Sequence, residues 1–254
     1  MNSEKNLKEK KKKRSGIVYN FCYDFVKITG AIPTLLWMRP KILYPFGRPR
    51  MRGAMLVSAN HRSFLDPMIV HCTFKGRRLH CLATKELYNT KVTERFFNLM
   101  HCIKTDKENF SLSAFHDVIE RLQEGKVVVI FPEGQVNLGK EERPDGGLSP
   151  FKSGAALMAH KSGAPILPIY IVKREKWYQR QTVVVGKPID VCAILGKMPS
   201  LEALTQVSEE LRNMELELFV YYETNVLKKT QESVPAREPE KEETKSKQTE
   251  EVYK

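Results

Sequence analysis

The run Lys126-Val127-Val128-Val129-Ile130-Phe131 limits the possible folds more than any other stretch. Its apolar side chains follow one another without a polar break, and most are β-branched. A strand with one wet face would alternate, so this one is covered on both faces, as in a parallel sheet packed between helices. Gly53–Ala59, Arg78–Ala83, Ile166–Val172 and Thr182–Val185 have the same short apolar character, and His101-Cys102-Ile103 predicts a further short strand. Between them Asp66–Phe74, Thr93–Met100, Ser111–Gln123, Phe151–Lys161 and Leu201–Leu227 carry helical periodicity, with Gly125 and Gly163 placed as stops. Arg39 to Arg52 reads as a Pro-interrupted connection. This alternation predicts an α/β protein with a mainly parallel central sheet flanked by helices and an N-terminal interfacial helical segment.

The two ends of the chain differ from its middle. Residues 1–14 hold seven Lys/Arg against Glu4 and Glu9, and residues 228–254 balance seven acidic with seven basic side chains. The expected organisation is a basic disordered arm (1–15), a membrane-interfacial helical segment (16–40), a catalytic domain (41–227) and a disordered charged tail (228–254). The segment 16–40 is rich in aromatic and aliphatic residues, but Asn20, Asp24, Lys27 and Pro33 interrupt it. A spanning helix needs about 20 predominantly apolar residues. A helix lying on the surface of an anionic membrane fits better, because the lysines before it add electrostatic attraction. Mean hydropathy of −0.40 argues against a polytopic membrane protein. Formal net charge is +12, which favours anionic partners; aromatic-rich nucleic-acid motifs are absent, so lipid is preferred to nucleic acid. Five scattered cysteines without a secretory cleavage signal fit a reducing cytoplasm, and the lack of short-spaced ligand pairs predicts no metal site.

Chemistry concentrates where two strands end. After Gly53–Ala59 comes Asn60-His61-Arg62-Ser63-Phe64-Leu65-Asp66-Pro67, and after the Val-rich strand comes Pro132-Glu133-Gly134. Ligands in open α/β sheets collect outside the carboxyl ends of strands. His61 and Asp66 are five residues apart and meet only if the backbone curls between strand and helix. An imidazole oriented by a carboxylate is a general base suited to neutral pH. Asp66 is also placed to cap the following helix, with Pro67 at its first position. Lys104–Lys107 forms a possible third lip with cationic groups.

In these residues the chain resembles the glycerolipid acyltransferases. Asn60-His61-Arg62-Ser63-Phe64-Leu65-Asp66 is similar to their first motif, Asn-His-x-x-x-x-Asp. Ile103-Lys104-Thr105-Asp106-Lys107 is similar to the second, with Lys107 in the place of an Arg. Phe131-Pro132-Glu133-Gly134 is similar to the third, and Ala164-Pro165-Ile166-Leu167-Pro168-Ile169 to the fourth. The resemblance spans about residues 40–190, and the bacterial 1-acylglycerol-3-phosphate acyltransferases are the nearest subgroup by length and N-terminal segment.

That resemblance implies transfer of a fatty acyl group from acyl-CoA or an acyl carrier protein thioester to the hydroxyl of a lysophospholipid. It implies a peripheral enzyme on the cytoplasmic face of the cell membrane and no cofactor beyond the thioester co-substrate. His61 would deprotonate the hydroxyl and Asp66 would fix its tautomer. Asn60, Lys104, Lys107, Glu133 and Gly134 would form the substrate site, with Lys107 on the acceptor phosphate. One departure stands out: where the third motif continues Thr-Arg-Ser, this chain has Gln135-Val136-Asn137, with Lys104, Lys107, Lys140 and Arg143 as replacement cations. Other lysolipid or glycolipid acceptors, or an inactive lipid-binding relative, are the alternative expectation. A hydrolase using His61 lacks a Gly-x-Ser-x-Gly elbow.

Overall fold

The computed structural model describes residues 2–74, 76–106, 111–134, 148–174, 176 and 178–227. In chain order the elements are α1 (Asn2–Met38), β1 (Lys41–Leu43), β2 (Met55–Ala59), α2 (Asp66–Thr73), β3 (Leu79–Thr84), α3 (Lys91–Leu99) and β4 (Ile103–Thr105). Then follow α4 (Leu112–Gln123), β5 (Val127–Ile130), α5 (Gly154–Ser162), β6 (Ile166–Ile171), β7 (Thr182–Val185), α6 (Val191–Leu195) and α7 (Leu201–Tyr222). The seven strands form one sheet in the order β1-β7-β6-β2-β5-β3-β4. Every pairing is parallel except β6 with β7.

Strand alternation sorts the core into two layers. Met55, Val57 and Ala59 of β2, with Val127 and Val129 of β5, face α2 and the end of α1. Leu56, Val128 and Ile130 face α4, α5, α6 and α7. The Val-rich strand is buried along its whole length, as its unbroken apolar run requires. β2 lies at the centre of the sheet, between β5 and β6. Loops leaving these three neighbours at their carboxyl ends must therefore meet.

Two parts of the chain differ from expectation. The backbone of the lysine-rich arm, expected to be disordered, is helical and continuous with the aromatic segment in α1. Lys, Glu and Leu are good helix formers, so nothing local stops the helix there. Within the Arg39–Arg52 connection, Lys41-Ile42-Leu43 forms β1. Three residues carry no readable period, and they become a strand only by pairing with Thr182, Val183 and Val184 of β7. The segment 228–254 and the loop 135–147, with Val136, Lys140 and Arg143, lie outside the described residues.

Tyr23 ties α1 to the sheet. Its ring is fully buried, and its hydroxyl accepts from the Leu79 amide at 2.9 Å and contacts His71 Nε2 at 3.0 Å. His71 and His80 are buried beside it and held neutral. Burial pushes the His71 imidazole down to about 4. Burial, then the neighbouring His101, Arg121 and Lys126, pushes His80 down to about 3. Folded values lie below the ordinary 6.5, so the unfolded chain takes up protons first. The stabilisation is complete above that value and is lost as pH falls toward 4. His80 Nδ1–H donates to the His101 carbonyl at 3.1 Å, a bond that the amide of Asn reproduces without titrating. A His80→Asn variant is therefore expected to lose less stability than the wild type between pH 6.5 and 4, read from urea unfolding across that range.

Candidate active site

The first residues after β2 are held by bonds that prolong the sheet beyond its backbone ladder. Asn60 is fully buried, its Nδ2 donating to the Ile171 carbonyl at 3.0 Å and its Oδ1 accepting from the Ile171 amide at 2.7 Å. This pins the end of β2 to the end of β6. The next amide, His61 N–H, donates to Glu133 Oε1 at 3.0 Å, which pins the same chain to the loop after β5.

The backbone then curls around one carboxylate oxygen. Asp66 Oδ2 accepts from the Arg62 amide at 2.6 Å, from the Ser63 amide at 2.7 Å and from His61 Nδ1 at 2.9 Å. The structure thus brings the His and Asp of the first motif into contact. A carboxylate accepts only, so the His61 proton resides on Nδ1 and Nε2 keeps its lone pair. The imidazole stacks on Phe131 with centroids 4.0 Å apart and planes at 20°. The Asp66 side chain is 2% exposed and that of His61 16%. The acid is thereby sealed and the imidazole keeps an edge open. Asp66 is the first residue of α2 and Leu65 its N-cap; the carboxylate turns back to the loop instead of capping the helix.

Glu133 is expected from sequence to accept from substrate, yet both its oxygens take backbone amides. Oε1 holds His61 N–H, and Oε2 holds Ser149 N–H at 3.0 Å. Its geometry is that of a buried strut between three loops, as Asn60's is of a clamp. Gly134 follows in a tight turn with φ of +70°, where a side chain is strained. Its amide donates to Phe131 O at 3.0 Å.

Of the two cations expected from the second motif, Lys104 is not brought to this cluster. Lys104 lies on β4, three strands from β2 and so roughly 14 Å away at usual strand spacing. Its ammonium sits 5.0 Å above the Tyr88 ring. Lys107 lies outside the described residues. Other cations occupy the neighbourhood instead. A cavity of about 220 Å³ beside Asp66 is lined by Met38, Arg62, Ile171, Lys173 and Arg174 among others. The Arg174 guanidinium lies 4.8 Å over Trp37, so the end of α1 reaches the mouth of the site. Lys152, close to Gly134, is a cation that sequence reasoning passes over, since nothing in Pro150-Phe151-Lys152-Ser153 marks it apart from any surface lysine. A larger cavity, about 860 Å³, opens under α1 at the amino-terminal ends of β3 and β5 and contains no member of the dyad. It gathers His71, Cys72, His80 and His101. Among the described residues no group of three or more His, Cys, Asp or Glu is arranged to hold a metal.

A seven-stranded α/β sheet presenting a His–Asp pair at its central strand ends, with a buried Glu behind it, has the architecture of an α/β group-transfer enzyme. The family model described as Acyltransferase matches residues 41–172, and the chain belongs to that family. It is 25% identical over 208 residues to the 1-acyl-sn-glycerol-3-phosphate acyltransferase of Bacillus subtilis (strain 168), covering 79% of this chain and 96% of that one. It is 31% identical over 127 residues to the probable 1-acyl-sn-glycerol-3-phosphate acyltransferase of Mycoplasma pneumoniae, covering 48% of this chain and 45% of that one. The fold matches the crystal structure of the 1-acyl-sn-glycerophosphate acyltransferase PlsC from Thermotoga maritima with a TM-score of 0.53 at 20% identity, over 83% of this chain and 82% of that one.

Behind the site, Ser58 of β2 donates to Glu215 Oε1 of α7 at 2.6 Å. Glu215 is fully buried and its Oε2 has no hydrogen-bond partner among the described residues. Burial pushes its carboxyl well above the usual range; the Ser58 bond opposes this and the Glu133 charge adds to it. The folded chain therefore keeps a proton that the unfolded chain releases above pH 4.5, so stability falls as pH rises from there toward the raised value. Glu215→Gln keeps the Ser58 bond and removes the titration. Its stability relative to the wild type is expected to grow by about 1.4 kcal/mol per pH unit in that window, measured by urea unfolding.

Proposed function

We propose that this acyltransferase moves a fatty acyl group from an acyl thioester to the free hydroxyl of 1-acylglycerol-3-phosphate, giving phosphatidic acid. The observation that carries the proposal is the His61–Asp66 contact, which leaves Nε2 as a base at the sheet's central crevice in a chain whose relatives bear that activity in their names. The acceptor hydroxyl gives its proton to Nε2 as its oxygen attacks the thioester carbonyl carbon. The new C–O bond forms, the C–S bond breaks, and the departing thiolate takes the proton from the imidazolium. Asp66 holds the ring's tautomer and stabilises its positive charge, while Phe131 holds its plane. Acyl-CoA and acyl carrier protein are the two donors proposed. General-base catalysis is worth roughly 10²–10⁴-fold. His61→Ala is expected to lower kcat by about that factor with KM for both substrates little changed, in a thioester-release assay. Wild-type protein inactive on 1-acylglycerol-3-phosphate with either donor would overturn the proposal.

The acceptor is a membrane lipid, and α1 has a surface suited to reach it. Val18, Phe21, Phe25, Ile28, Ile32 and Leu36 recur every three or four residues and are each between 52% and 74% exposed. They form one apolar stripe, on a helix whose Tyr23 faces the sheet. No helix among the described residues is long and apolar enough to cross a membrane. We place the protein flat on the cytoplasmic leaflet, stripe down, with anionic lipid attracting the lysines ahead of it. Replacing Phe21 and Phe25 by Ser is expected to lower co-sedimentation with phosphatidylglycerol vesicles several-fold, without changing the thermal melting of the domain.

A further inference from the structure

The proposed acceptor carries a phosphate four covalent bonds from its reacting hydroxyl oxygen, each about 1.5 Å long. A cation that recognises it must therefore lie close to the His61–Asp66 pair. Lys104 is three strands away and sits on Tyr88. Arg62 and Arg174 are adjacent to the dyad but lie over the rings of Tyr170 and Trp37, at 5.8 Å and 4.8 Å.

Lys152 is placed differently. Its amide donates to the Pro132 carbonyl at 3.2 Å, which fastens residue 152 to the Pro132-Glu133-Gly134 turn. From there its side chain crosses the bare face of Gly134. A Cβ added at Gly134 would stand 3.0 Å from Lys152 Nζ and 3.0 Å from Cε, so the ammonium occupies space that any other residue at 134 would contest. The adjacent Glu133 forms no ion pair with it: both oxygens of that carboxylate are turned to the His61 and Ser149 amides. Among the described residues no ion pair engages the Lys152 ammonium. The residue is exposed, so the charge is open to solvent and to ligand. An ammonium with no ion-pair partner among the described residues thus stands one residue along the turn from the carboxylate that holds His61.

We propose that Lys152 binds the phosphomonoester of the acceptor and selects phosphate-bearing lysolipids, the task expected from the cations of the second motif. The inference rests on the acyl-transfer function proposed above and names the group that reads its acceptor. A donor phosphate is the other source of the same chemistry. In a pantetheine thioester, however, more than ten bonds separate the reacting carbonyl from the nearest phosphorus, against four in the acceptor. An ammonium beside Gly134 therefore matches the acceptor's reach.

The test uses the full chain as wild type, Lys152→Met and Lys152→Arg. Acceptors are 1-acylglycerol-3-phosphate and its phosphate-free counterpart 1-acyl-3-O-methylglycerol, with acyl-CoA as donor. Lys152→Met is expected to raise KM for the phosphate-bearing acceptor by about ten- to hundredfold, the range for losing a charged hydrogen bond. KM for acyl-CoA, turnover of the methyl ether and thermal melting should stay at wild-type values, and Lys152→Arg should recover most of the loss. An unchanged KM for 1-acylglycerol-3-phosphate overturns the assignment. So does a rise in the acyl-CoA KM instead, or an equal loss on both acceptors. A wild type that acylates the methyl ether but not 1-acylglycerol-3-phosphate overturns the parent proposal and this one together, whereas the variant outcomes overturn this one alone.

Discussion

A single oxygen, Asp66 Oδ2, draws in three donors that are separate in direction and adjacent in sequence: the amides of Arg62 and Ser63 and the Nδ1–H of His61. Burying a carboxylate is costly unless its acceptor capacity is filled, and charge-assisted bonds of this kind offset the cost. The loop must curl to fill it. Because Asp66 is also the first residue of α2, the packing of that helix against the sheet fixes where the carboxylate stands and hence how the imidazole is aimed. The His61 imidazole is positioned by a helix through a carboxylate, on a loop that has no regular structure of its own.

The same logic continues outward from the dyad. Asn60 on Ile171 and Glu133 on the His61 and Ser149 amides are side chain–backbone bonds placed where the strand ladder stops. They join the ends of β6, β2 and β5, the three strands at the centre of the sheet. One buried glutamate, Glu133, fills its oxygens with amides. The other, Glu215, leaves Oε2 unpartnered among the described residues and is pushed toward its neutral form. The difference follows from what each faces. Glu133 faces loop amides that lack partners in any sheet, whereas Glu215 faces one hydroxyl inside a finished apolar layer.

α1 links this site to its surroundings. Tyr23 anchors one side of the helix at the β3 edge, while the opposite stripe stays apolar and exposed. Its last residues, Trp37 and Met38, arrive beside the cations that flank Asp66. An exposed apolar surface and a cationic crevice are therefore contiguous at the end of α1.

Much of this was legible in the residues themselves. The unbroken Val127–Ile130 run announced a parallel sheet, because only burial on both faces tolerates it, and the polar loops at 60–66 and 132–134 were expected at strand ends, where the structure joins them. β1 was not legible, since three residues become a strand only against β7. Nor were the tasks of Asn60 and Glu133: a polar residue in a motif looks the same whether it meets substrate or spans two backbones, and burial alone separates the cases. Lys152 is the converse. It lies nineteen positions from Glu133 and carries no local signal, and only the pairing of its amide with Pro132 brings its charge to the site. Sequence by itself determined the class of sheet and singled out the His61–Asp66 pair, because periodicity and functional-group chemistry are local properties. The tertiary structure decided which polar groups hold the backbone and which remain open, because that depends on what the rest of the fold places around each one.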